Sequence, residues 1–328
     1  MKYTLLILFI IPAYLFSQTN SKKVFLEKNS PLLEKKMTVI ATDETGLNWI
    51  GTLNGLICYN GQRWITLNTE NSKLPSNKIL CIEIDGNTKY IGTTEGLLII
   101  KNNDWEVFTK ANSGLPSNKI RKIKINKGIV WIATSAGLVS YKNDFEVSLS
   151  KIKNSIIDDD FITLSVDNNE TVWVGTNNGL YSFKEDIWKV FTTQNSQLPN
   201  NKIWNIIVDG NDNKWIGTKN GLAVITDEGW RLFDKKNSPL RSSRVNSIAC
   251  DDYDRVWVST EKGVISYDGE SWEKHKTKVC KKELITNLFI DAFDNKWICT
   301  SNNIVLFNNE GVEFKNNITT ENSFIVSR

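Results

Sequence analysis

Residues 49–59 read WIGTLNGLICY: an aromatic residue, a small one, a threonine and a glycine at fixed offsets, followed by an apolar run ending in tyrosine. The opening tetrad returns as YIGT at Tyr90, WIAT at Trp131, WVGT at Trp173, WIGT at Trp215, WVST at Trp257 and WICT at Trp297. The spacings are 41, 41, 42, 42, 42 and 40 residues. Its third position is always small (Gly51, Gly92, Ala133, Gly175, Gly217, Ser259, Cys299) and its fourth is always Thr. After two more residues comes Gly55, Gly96, Gly137, Gly179, Gly221 or Gly263, with Asn303 in the last copy. Gly and Asn tolerate positive φ, so this offset marks a tight turn between two short strands.

Working outward, an apolar strand ending in Asp precedes the tetrad, as in ILCIEID (79–85), IWNIIVD (203–209) and VNSIACD (245–251). A fourth strand follows and carries Trp64, Trp105, Phe145, Trp188, Trp230, Trp272 or, finally, Val312. Each unit then closes with a loop such as NSKLPSNKI (71–79), NSGLPSNKI (112–120) or NSQLPNNKI (195–203). Four short antiparallel strands repeating at about 40–45 residues are the pattern of propeller blades. The expected fold is all-β, a single seven-bladed β-propeller of four-stranded antiparallel blades over residues 18–328. VFLEKNSPL (24–32) matches a fourth strand and closing loop, so it is expected to complete the last blade in preference to VEFK (312–315). The tail from Asn316 is left unassigned.

Composition narrows the function. There are 40 Lys plus Arg against 37 Asp plus Glu, a net charge of +3, and this gives no basic field of the kind nucleic-acid partners need. A single histidine, His275, leaves little material for imidazole catalysis or a multi-histidine metal site, and its fourth-strand position puts it on the outer rim. No cofactor and no metal are expected. DGNDN (209–213) reads as a hairpin turn, and Asp158, Asp159 and Asp160 as a solvated loop. The five cysteines are odd in number and form no C-x-x-C pair; four of them (58, 81, 250, 299) lie in repeat strands, which predicts buried free thiols. Residues 1–17, MKYTLLILFIIPAYLFS, have the layout of a signal peptide: an early Lys, an apolar run too short for a comfortable span, and a small Ser17. The mature chain is therefore expected to be exported, periplasmic or secreted, with no membrane span.

W-[IV]-G-T-x-x-G-L followed by N-S-x-L-P-S-N-x-[IV] resembles the two-component regulator propeller repeat of bacterial hybrid histidine kinases, over about residues 22–315. In that family the repeats form seven-bladed extracytoplasmic sensor propellers, usually two in tandem ahead of a membrane span and a kinase. Many full-length members are thought to sense oligosaccharides. The resemblance implies a binding or sensing propeller. One ring without a kinase segment implies no autophosphorylation.

The residues before each inner strand should ring one mouth of the channel: Lys36, Lys78, Lys119, Asp160, Lys202, Arg244 and Leu284. Five of these seven are basic, which would draw an anionic ligand. Eleven of the 12 Trp occupy the two repeat positions; only Trp204 does not, and it lies beside Lys202 near the same mouth. Its indole could stack on a sugar or donate its N–H; the competing reading is an extra filler between blades. The expected ligand is an anionic glycan or peptide. The alternatives are a protein-interaction scaffold of the cell envelope and, third, a polysaccharide lyase-like enzyme.

Overall fold

The computed structural model describes residues 23–26, 32, 36–60, 63–142, 145–146, 160–275, 283–300, 304–308 and 323–326. Seven antiparallel sheets follow one another along the chain, each meandering outward from an inner strand. In blade 1 the strands are Met37–Thr42, Asn48–Thr52, Gly55–Tyr59 and Trp64–Leu67, paired in that order. Blades 2 to 6 repeat this order, and blade 7 shows its first three strands, Ile285–Ile290, Lys296–Thr300 and Ile304–Phe307. The inner strands touch their neighbours around the ring, and those of blades 1 and 7 meet to close it. The seven-bladed propeller is therefore as the repeat implied.

Each apolar cluster lies between successive blades. Leu56, Cys58 and Trp49 of blade 1 pack on Ile79, Ile82 and Leu98 of blade 2. Where blade 7 meets blade 1, Trp297 and Leu306 pack on Met37, Ile40 and Ile57. The small third tetrad position has a steric cause at this boundary. A methyl carbon added to Gly51 would lie 2.6 Å from Val39 Cγ1 and 2.7 Å from Ile79 Cγ2, and Ile79 opens the next inner strand. Gly55 has φ of 122°. A Cβ there would also meet the Leu67 carbonyl oxygen at 2.6 Å, so the turn excludes any side chain.

The repeat tryptophans do more than fill space. Trp49, Trp173, Trp215, Trp257 and Trp297 each donate their indole N–H to the aspartate that ends the preceding strand: Asp43, Asp167, Asp209, Asp251 and Asp291, at 2.7–3.0 Å. Asp209 also accepts from the backbone N–H groups of Asn211 and Asn213, which accounts for DGNDN as a turn. In three blades a lysine reaches back to the previous blade: Lys89 to Asp43, Lys214 to Asp167 and Lys296 to Asp251, each at 3.3 Å. Lys296 is fully buried, and Asp294 holds it as well at 2.9 Å. In the closing loop, Asn71 accepts from the Asn68 N–H at 2.8 Å and donates to the Thr66 carbonyl at 3.0 Å, while Leu74 is buried beneath.

One expectation needs correction. Lys23–Leu26 pairs with Ser323–Val326 of the tail and not with the third strand of blade 7. The adjoining loop nevertheless does the job of its counterparts, since Leu32 is buried against Met37, Ile40 and Trp297. VEFK (312–315) lies outside the described residues. His275 is on an outer strand, as expected, and is buried there. Its ring stacks on Trp257 with centroids 4.2 Å apart, and Nε2 lies 2.8 Å from the Ser266 hydroxyl. Cys58, Cys81, Cys250 and Cys299 are free thiols, and burial pushes all four up to about 12. Cys280, Asp158 and Asp159 fall outside the described residues.

Candidate functional site

Hydrogen bonds place the expected ring residues on one face. The carbonyls of Lys36, Lys78, Lys119 and Lys202 accept from the N–H groups of Leu53, Thr94, Ser135 and Lys219, the residues just after the tetrad threonine of the same blade. The entry to the inner strand and the turn between strands two and three therefore share a mouth. Lys36, Lys78 and Arg244 are exposed there, and Lys119 and Lys202 are half-buried. Leu284 supplies an exposed apolar position in blade 7.

Just inside this mouth the inner strands carry a β-bulge that the sequence did not reveal. Pairing slips at Thr38, Leu80, Arg121, Trp204, Asn246 and Thr286, one residue into the strands of blades 1, 2, 3, 5, 6 and 7. A bulge leaves one residue out of the ladder and re-aims its side chain. Two of those side chains reach the next blade: Asn246 donates to the Ile285 carbonyl at 2.6 Å, and Arg121 grips Asp160, with Nε 2.8 Å from Oδ1, whereas Thr286 donates to the Cys299 carbonyl of its own blade. Asp160 is thus at the mouth, but Arg121 takes both of its carboxylate oxygens.

Trp204 is brought together with two of the expected cations. Lys202 Nζ lies 4.7 Å from the centre of its ring, and Arg244 Cζ, from the next blade, lies 5.1 Å away. Arg244 also meets Glu261 at 3.2 Å. The indole is half-buried, yet its N–H is buried and has no acceptor. The hydroxyl of Thr38, at the equivalent bulge of blade 1, is also buried without a partner. Buried polar groups in native proteins are nearly all paired, so these two stand out, together with the Tyr59 hydroxyl and the Trp188 N–H on outer strands of blades 1 and 4. The cations over the indole make a site suited to oxyanions.

Blade 3 contributes cations that the entry-ring reading overlooked. Its inner strand, Ile120–Asn126, reads IRKIKIN and places Arg121, Lys122 and Lys124 beyond Lys119. Lys124 crosses to Glu83 on the inner strand of blade 2 at 2.9 Å. Burial, with Lys124 nearby, pushes the Lys122 ammonium below its ordinary range. The signal was present in the sequence, since Lys122 stands where the other inner strands carry Val39, Cys81, Thr163, Asn205, Ser247 and Asn287. Among the described residues no three His, Cys, Asp or Glu side chains are grouped to hold a metal ion, and no helix is long and apolar enough to cross a membrane.

Comparison with known proteins gives the fold wide company. No curated protein matches the sequence. Among solved structures, the extracellular domain of a hybrid two component system from B. thetaiotaomicron superposes with a TM-score of 0.70 at 20% identity. That match covers 84% of this chain and 40% of the neighbour, so this chain spans about two fifths of that neighbour's length. A catalytically inactive histidine-to-alanine variant of virginiamycin B lyase from Staphylococcus aureus gives 0.64 at 15% identity, covering 86% and 96%. YCF48 bound to D1 peptide gives 0.64 at 14%, covering 90% and 98%. An extracellular domain of a two component system, a lyase and a peptide-bound protein share the architecture, and at these identities the likeness is one of fold alone. The family described as two component regulator propeller matches residues 239–262, from the closing loop of blade 5 to the tetrad turn of blade 6. The chain is a seven-bladed β-propeller, and one stretch of it, residues 239–262, matches the two component regulator propeller family.

Proposed function

We propose that the chain is an exported, non-catalytic propeller that binds an anionic ligand at the channel mouth, with a glycan carrying carboxylate or sulfate groups as the class that fits best. The observation that carries this reading is Trp204. Its ring lies under Lys202 and Arg244, and its buried N–H has no acceptor. An oxyanion between the two cations would meet opposite charge, and a ligand oxygen would complete the indole. The likeness to an extracellular sensor domain accords with binding outside the cytoplasm. A lyase reading finds no free imidazole to draw on, because the one histidine is packed against Trp257 and bonded to Ser266.

Thermal unfolding in the presence of neutral, uronate-bearing and sulfated oligosaccharides tests the proposal. A ligand selective for the folded state at 100 times its Kd adds about 2.7 kcal/mol, a shift of several degrees. The anionic members should raise Tm, and Trp204→Ala should remove the shift. An unchanged glycan-array profile for Trp204→Ala would take Trp204 out of the site. The scaffold reading has its own support in the exposed Leu284 at this mouth, and it would be favoured if no glycan raises Tm.

A further inference from the structure

The inner strand of blade 3 is the most cationic stretch of the channel wall, and its charges are unevenly answered. Arg121 is neutralised by Asp160 from blade 4, and Lys124 by Glu83 from blade 2. Lys122, between them, is half-buried and meets no carboxylate within ion-pair distance among the described residues. The charged or titratable groups around it are Lys124, Glu83 and the Cys81 thiol. Glu83 is already engaged by Lys124, and the thiol, pushed up to about 12, is neutral. A lysine held out of water beside another lysine is a cation in search of a counter-charge.

We propose that Lys122 anchors an anion site inside the channel, which takes the carboxylate of a ligand reaching past the mouth. The choice of carboxylate follows the wall itself, where each neighbouring cation of the same strand is met by an Asp or Glu side chain from an adjoining blade. A bound carboxylate supplies the third such pair and leaves Asp160 and Glu83 in place. The site depends on the mouth reading only for its route of entry, since Lys122 belongs to blade 3 while Trp204, Lys202 and Arg244 belong to blades 5 and 6.

The test uses the full chain with galacturonate, galactose 6-sulfate and galactose as probes. Galacturonate should raise Tm and galactose should not. In Lys122→Met the basal Tm should rise, because an unanswered cation is gone, and the apparent affinity for galacturonate should fall at least tenfold. Lys122→Arg should keep most of that affinity. The ammonium 15N resonance of Lys122, assigned by its loss in Lys122→Arg, should shift on adding galacturonate; this readout needs no neutral variant to fold. The site is overturned if Lys122→Met binds galacturonate as tightly as wild type, if the resonance stays fixed, or if only galactose 6-sulfate acts. The mouth reading is judged separately: loss of binding in Trp204→Ala with retention in Lys122→Met supports the mouth alone, and the reverse supports the channel site alone.

Discussion

At the scale of single residues, the aspartate six positions before five of the six tetrad tryptophans carries as much of the architecture as the tryptophan. Asp167 accepts from Trp173 Nε1 at 2.9 Å and from the Thr171 N–H at 2.8 Å, and Lys214 of the next blade stands 3.3 Å away. Burial raises its pKa, but the hydrogen bonds and Lys214 outweigh that and hold the carboxyl below its ordinary value of 3.8; Asp43 is held down in the same way. A folded-state pKa below the unfolded one contributes stability above about 3.8, and that stability is lost as pH falls through the folded value. Denaturant midpoints followed from pH 7 to pH 2 should therefore be flat and then fall on the acid side. Asp167→Asn should start lower at pH 7 and lose less on acidification; an acid limb identical to wild type would show that Asp167 contributes nothing to it. Both members of the pair were visible as residues. Their bond was not, because a six-residue offset across a hairpin acquires meaning only once the strand register is known.

At the scale of the strand and turn, each unit was legible because its signals are local: alternation, a glycine turn, a closing loop with Pro. The tetrad glycine was visible as a position that is always small, and the structure supplies the neighbours that require it. Gly51→Ala would push a methyl carbon to within 2.6 Å of Val39 and 2.7 Å of Ile79, so the boundary between blades 1 and 2 must open. Overpacking of this kind costs about 1–3 kcal/mol. Chemical denaturation should show a loss in that range, and a neutral substitution would mean that the blades have slack at this point. The bulge one residue into the inner strand was not legible. It leaves no mark in the hydrophobic pattern, and it decides that Arg121, Trp204 and Asn246 reach across blade boundaries. For the same reason the entry residues of the mouth were found from spacing, while the cations deeper in blade 3 were passed over as ordinary strand positions.

At the scale of the whole molecule, a ring of seven units turns an almost neutral chain into a body with one basic opening. Its entry positions gather Lys36, Lys78, Lys119, Lys202 and Arg244, while the lysines of the opposite ends of the strands are spent on Asp43, Asp167 and Asp251. Ring size and blade order followed from the repeat. The closing strands did not, because the N-terminal segment pairs with a tail that carries no repeat signature. Binding at the basic mouth is tested most directly by calorimetric titration of a uronate-bearing oligosaccharide into wild type and the double variant Lys202→Gln/Arg244→Gln. Both residues lie at the mouth and outside the apolar clusters between blades, and folding of the double variant is checked by an unchanged circular dichroism spectrum. Wild type should bind, and the double variant should bind at least tenfold more weakly, a difference of about 1.4 kcal/mol or more. Equal affinity in the two proteins would contradict a ligand held at this mouth.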